Sequence, residues 1–230
     1  MNGRSKLRRW HTWLAWAAAI PILLWVISGL VMVARPIEEV RGEKLLRDPS
    51  PLRLVGPPIP PSVAGVPLSS LSLEQRAAGP RWVIRLPDGK TRVADPQTGL
   101  LLPGLSAADA RREVEARYSG TSKVRSVTRT SADHPPLDLR RPIAAWQVTM
   151  EDGTHFFVDA SSGQIVATRT RWWRFYDLMW GLHIMDPATR EDTHNPVVIL
   201  FGIAALAAAF LGTIVLPMTL RKKTRRPPGP

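Results

Sequence analysis

The sequence predicts an α+β membrane protein: two transmembrane helices flank an extracytoplasmic domain of antiparallel hairpins, partly duplicated, with one main helix. Three observations carry this. Two uncharged apolar runs, 13–34 and 196–220, each exceed the roughly 20 residues that cross a hydrocarbon core. Cations crowd the two chain ends. Between the runs, a stretch holding an Asp-Gly turn recurs 64 residues later.

The ends come first. Of a net charge of +12, nine cations lie at the ends: Arg4, Lys6, Arg8 and Arg9 before the first run, and Arg221, Lys222, Lys223, Arg225 and Arg226 after the second. Neither end holds an Asp or Glu, so only +3 is left for everything between. Lys and Arg beside spans stay on the cytoplasmic side. Segments 1–12 and 221–230 are therefore expected in the cytoplasm of a bacterium, with the middle translocated across its inner membrane into the periplasm. The pI of 11.2 thus points to the lipid bilayer as partner rather than to nucleic acid, since no folded module carries a basic face. The first run is longer than a signal core and lacks a small-x-small exit before Arg35, so it reads as an uncleaved anchor.

Residues 35–67 form a connector: a charged juxtamembrane stretch, then prolines 49, 51, 57, 58, 60, 61 and 67, too dense for a helix or central strand. Residues 68–170 form the domain, with repeats at about 80–102 and 105–168. Residues 82–99 align without a gap on 146–163, and Trp82/Trp146, Asp88/Asp152, Gly89/Gly153, Asp95/Asp159 and Gly99/Gly163 are identical. Each copy reads strand, Asp-Gly turn, strand, and a second turn closed by Gly. The second copy is preceded by a helix, with a Ser106/Asp109 capping box ahead of 110–118 and a stop at Gly120, then a strand over 123–129. The prolines leave the first copy without such a helix, so the duplication is partial. Residues 171–186 form an aromatic interfacial helix, 187–195 a charged turn, and 196–220 the second span. There Ala204, Ala205, Ala208 and Gly212 offer small-xxx-small steps for close packing against the first span or another protomer, unless they simply face lipid.

The order helix, strand, Trp-bearing strand, Asp-Gly turn, then Phe156-Phe157-Val158-Asp159 to Gly163, resembles a PepSY domain. The flanks resemble PepSY-associated transmembrane proteins, in a two-span branch: Arg9-Trp10-His11 opens the first helix, Ser28-Gly29-Leu30 lies near its outer end, and Trp180-Gly-Leu-His183-Ile-Met-Asp186 precedes Arg190-Glu-Asp192 and His194-Asn-Pro196. The resemblance implies a link to iron uptake, ferric-siderophore reduction and membrane electron transfer through b-type haem, as in larger four-span relatives. This chain has half their spans.

With no cysteine, disulfides, thiolate zinc, iron–sulfur clusters and covalently attached haem are excluded, and any haem is of the b type. Five histidines are the candidates. His11, in Trp10-His11-Thr12-Trp13, is either part of an interfacial aromatic belt or an axial ligand near the inner face. His183 lies on the helix that combines it with Trp173, Tyr176 and Trp180 at helical spacing, and its ring needs a partner there; Asp177 and Asp186 are the expected ones. His194 either opens the second span or ligates at the same depth as His183. His11 and His183 belong to opposite faces of a core about 30 Å thick, so His183 would pair with His194, a second protomer or another subunit. His134 and His155 read as surface residues, and Arg190, Glu191 and Asp192 as a turn holding the aromatic helix against the second span or meeting a partner. No Gly-x-Ser-x-Gly, His-Glu-x-x-His or P-loop is present, and Asp88, Asp95, Asp152 and Asp159 fall at turns, so no stand-alone enzymatic activity is expected. The competing class is a cofactor-free, membrane-tethered module that docks a periplasmic partner.

Overall fold

The structure is a computed structural model that describes residues 3–220; the basic tail 221–230 and the side chain of Arg4 lie outside the described residues. It divides into two units, one made of the chain up to Arg35 with Phe175 onward, the other of Pro36–Arg174. The first unit contains two helices long and apolar enough to cross a membrane, α1 (Gly3–Val33) and α5 (Pro196–Leu220). They pack antiparallel: the His11 ring lies against Gly212 at one end, and Trp25 against Gly202 at the other. Ala18 of α1 and Ala208 of α5 are both buried. The small residues of α5 thus face α1, whereas Trp13, Ile20, Leu23, Leu206 and Phe210 stay exposed.

Helix α1 begins ten residues earlier than the apolar run, because Arg4 to Thr12 contains no breaker and propagates the helix outward. Just past it, the connector holds elements its prolines did not announce: α2 (Ile37–Arg41), closed by Gly42 in the left-handed region, and a 3-10 turn over Glu43–Leu45. The prolines begin at 49, and residues 49–69 hold no helix or strand.

The second unit contains two antiparallel sheets. The first is β1 (Ser70–Arg76), β2 (Gly79–Arg85) and β3 (Thr91–Ala94), in that order; the second is β4 (Val124–Thr130), β5 (Ala145–Met150), β6 (His155–Asp159) and β7 (Ile165–Arg169), also in order. Helix α3 (Ala107–Arg117) has the Ser106/Asp109 capping box, with Asp109 at its third position, so it starts at Ala107 rather than Ala110. It covers one face of the second sheet, where Ala110, Val114 and Tyr118 pack on Val148, Met150, Phe156 and Val158. The other face, with Phe157, Ala145 and Ala167, is covered by Leu139 and Ile143 of loop 131–144. Strand β6 is buried on both faces for that reason. The helix ends at Tyr118; Gly120 matters because the Tyr118 ring occupies the place of its Cβ.

The two matching stretches form the same hydrogen bonds. Asp88 Oδ1 accepts from Lys90 N at 3.0 Å, as Asp152 Oδ1 does from Thr154 N at 2.8 Å. Asp95 Oδ1 accepts from Gln97 and Thr98 N, as Asp159 Oδ1 does from Ser161 and Ser162 N. Trp82 Nε1 donates to Ile59 O and Trp146 Nε1 to Leu105 O, both at 2.8 Å, so each indole pins the segment entering its sheet. In each Asp-Gly turn only the glycine has positive φ, 82° in both. That is a three-residue loop closed by a glycine bulge, not a two-residue turn, which would need positive φ at Asp as well.

Between the sheets, the β1–β2 hairpin docks on the second sheet's elements. Ala77 N donates to Glu113 Oε2 of α3 at 2.7 Å, and Arg76 Nε to Ser162 O at 3.2 Å. Both side chains are buried, so each charge needs these partners.

Candidate functional site

The candidate site is built around His183, the last residue of α4 (Arg171–His183). Trp25 Nε1 of α1 donates to His183 O at 2.7 Å, and His183 Nδ1 lies 3.0 Å from Ser28 Oγ. Gly29 makes room: a Cβ there would sit 3.6 Å from the imidazole Cε1. Ser28 Oγ is also 2.6 Å from Leu24 O, a contact between two oxygens that only the serine proton makes attractive. That proton being spent, Ser28 accepts from His183, so the neutral imidazole carries its hydrogen on Nδ1 and its lone pair on Nε2. Nε2 makes no hydrogen bond among the described residues and is available to a further partner.

Asp177 and Asp186 do not orient the ring. Asp177, 4% exposed, pairs with Arg190 at 2.6 Å, while Trp180 Nε1 donates to Arg190 O. The charged turn is thereby strapped to α4, and Gly181 is needed because a Cβ would lie 2.7 Å from Arg190 Cγ. Asp186 accepts from the Thr189 hydroxyl and from the backbone N–H groups of Thr189, Glu191 and Asp192. Led by the Thr189 hydroxyl bond, these donors hold its carboxyl far below the ordinary range. Met185 and Arg190 have φ of 56° and 59°, conformations that side chains resist and that this polar knot maintains.

Asn195 closes the knot. Its Oδ1 accepts from Val198 N at 3.0 Å, capping α5 ahead of Pro196, and its Nδ2 donates to Ile184 O at 2.8 Å. The residue after His183 is therefore bonded to the residue after His194, which joins the two segments. The His194 ring itself is exposed, with Nδ1 3.1 Å from Thr193 Oγ1, and no hydrogen bond links the two imidazoles.

His11 lies 17 residues before Ser28 on α1, about 25 Å away at 1.5 Å per residue, and so at the other end of the helix pair. Its Nδ1 is buried without a hydrogen-bond partner among the described residues, and a Cβ on Gly212 would be 3.0 Å from its Cε1. His134 is exposed. His155 differs from the surface reading: half-buried on β6, its Nδ1 lies 3.1 Å from Asp138 Oδ2 of loop 131–144. Loop closure over the sheet makes that pairing, and nothing in the local sequence around His155 announces it.

For haem, the donor set fits in one respect and is open in another. His183 has the arrangement typical of ligating histidines, with one nitrogen fixed by a hydrogen bond and the other free. No second histidine is hydrogen-bonded to His183, His194 being exposed against Thr193, and no group of three or more His, Cys, Asp or Glu gathers among the described residues. Comparison with protein-family models, with curated proteins and with solved structures gives no match for this chain.

Proposed function

We propose that this is a two-span bacterial inner-membrane protein of PepSY type, an accessory of iron- or siderophore-linked membrane electron transfer or uptake, that binds a b-type haem through His183. The single observation behind the haem is the Ser28–His183 pair, which presents Nε2 as a lone pair beside Trp25. The membrane assignment is supported by α1 and α5: almost none of either apolar run is buried, and water does not tolerate so much exposed hydrocarbon. The PepSY reading is supported by the matching hydrogen bonds of the two hairpins, which we take as a partial internal duplication.

In this reading the chain's own residues do the holding. Ser28 fixes the tautomer, Trp25 holds the His183 carbonyl, and the Asp177–Arg190 pair sets the end of α4. His194, or an imidazole of a second protomer or partner subunit, completes the pair, and His11 is the corresponding candidate at the other face. A bound haem would supply one-electron chemistry at the outer edge of the bilayer. The test is a visible spectrum of protein purified after expression with added haem. The wild type is expected to show a Soret band, His183→Ala to lose it, and His134→Ala to keep it. Absence of the band in the wild type overturns the haem assignment, and loss in His11→Ala alone moves the haem to the inner face.

A second reading has its own observation. The proline-rich connector leaves Leu54 and Val55 exposed along a groove of about 310 Å³ with Pro57, Pro80 and Pro96. A cofactor-free module docking a periplasmic partner would use such a groove, and it becomes the better account if no Soret band is found.

A further inference from the structure

The two sheets have four edges, and three of them have a neighbour. Past β3, Leu102 N donates to Val93 O at 2.8 Å. Beside β1, Arg53 N donates to Gln75 Oε1 at 3.2 Å. Against β7, Gly42 lies so close that a Cβ there would be 3.2 Å from Thr168 Cγ2. Strand β4 is the fourth edge, and among the described residues no backbone hydrogen bond reaches its outer side.

The register shows which of its groups are left open. Met150 N donates to Thr154 O, so Met150 bonds towards β6, and Val148 and Trp146 do likewise by the alternation of an antiparallel ladder. Thr149, Gln147 and Ala145 therefore bond towards β4, to their partners Ser126, Thr128 and Thr130. Val127 and Arg129 are left with N–H and C=O pointing outward, in a strand without proline. The charge along this edge has one sign. Lys123, Arg125 and Arg129 are exposed, and residues 119–132 contain no Asp or Glu. None of the three forms an ion pair among the described residues. The Cζ of Arg129 lies 5.4 Å from the centroid of the Trp146 ring, which keeps that charge beside the strand.

We propose that β4 takes up an extended acidic segment of another protein as a fifth strand of the second sheet. Main-chain bonds to Val127 and Arg129 supply the pairing, and the three cations select the charge of the incoming strand. A second copy of this chain is a poor occupant. Pairing β4 with β4 sets six cations along one seam without a carboxylate, whatever the register. Cations on an edge guard against like edges in this way, and the same charges favour a strand of opposite sign. A nucleic acid would answer the charge but not the outward row of strand N–H and C=O groups. The inference is independent of the haem and of which side of a membrane the sheets occupy.

The experiment uses the full chain in detergent and a fluorescent peptide of alternating glutamate and threonine, with binding followed by anisotropy. The peptide is expected to bind about tenfold more tightly than its glutamine counterpart, and to lose about tenfold when alternate backbone nitrogens are methylated. Hydrogen exchange at the Val127 and Arg129 amides should slow when it binds. Arg125→Gln and Arg129→Gln should each weaken binding about threefold. Arg92→Gln, an exposed arginine on β3, should leave it unchanged. Absence of binding, equal binding of the glutamine peptide, or indifference to methylation overturns the proposal, as does an equal loss in Arg92→Gln. So does an oligonucleotide that binds more tightly than the peptide and displaces it, which would make the strand a nucleic-acid site. A disulfide-linked dimer of Thr128→Cys under mild oxidation overturns it as well, since the edge would then be a seam between two copies.

Discussion

Ser28 decides which nitrogen of His183 carries the proton. Its own proton is committed to Leu24 O, and replacing it with alanine leaves Nδ1 without an acceptor and the ring without a fixed tautomer. Ser28→Ala is expected to weaken haem binding about 10- to 100-fold in a titration followed at the Soret band, and Ser28→Thr to restore most of it. His183 itself was legible, since an imidazole on so aromatic a helix has to find a partner. Its pairing with Ser28 was not, although Ser28-Gly29-Leu30 stood out near the outer end of the first helix, because 155 residues separate the two and only the docking of α4 on α1 joins them. Asp138 gives a second prediction at this scale. Burial acts to raise its carboxyl, but the hydrogen bond and charge of His155, with Arg174 and Arg169, outweigh burial and hold it below the ordinary value. A carboxyl lowered in the folded state contributes stability above its unfolded pKa and loses it as pH falls through the folded one. The difference in unfolding temperature between wild type and Asp138→Asn should therefore be full at pH 6 and shrink below about pH 4. A difference that stays constant down to pH 2 would show that the carboxylate is not what ties loop 131–144 to the sheet.

The hairpins show how much an element reveals of itself. Asp-Gly turns, the capping box and the alternation over 123–129 are local signals, and β2 to β6 and α3 follow from them. Strand β1 was missed because Ser-Leu-Ser-Leu-Glu-Gln-Arg is half polar and becomes a strand only through its register with β2, Leu73 opposite Trp82. Two glycines separate backbone from packing. Gly89 and Gly163 both have positive φ, 82° and 72°, but nothing lies within 4 Å of a Cβ on Gly89, while a Cβ on Gly163 would meet buried Leu105 at 2.9 Å. Gly89→Ala should cost about 1–2 kcal/mol from its conformation alone, and Gly163→Ala about 1 kcal/mol or more beyond that, measured by denaturant unfolding in detergent. Equal costs would mean that Leu105 yields freely. Trp146→Ala should cost about 3 kcal/mol, since the half-buried ring packs on the core of α3 and its N–H satisfies Leu105 O.

At the scale of the molecule, the antiparallel pairing of α1 and α5 turns two apolar runs into one hairpin with His11 at one end and the Ser28–His183 pair at the other. The runs themselves were plain in the sequence. Their pairing was only partly so: the small residues of α5 marked a contact face, but Gly212 receiving the His11 ring depends on register. The absence of native cysteine makes the membrane arrangement, on which the proposed function rests, directly measurable. Single cysteines at Thr121 and Arg8, both exposed positions, can be labelled with a membrane-impermeant maleimide on intact spheroplasts. Thr121→Cys is expected to label at once, and Arg8→Cys only after the membrane is opened; labelling of Arg8→Cys alone on intact cells, or recovery of the chain in the soluble fraction, would contradict the account.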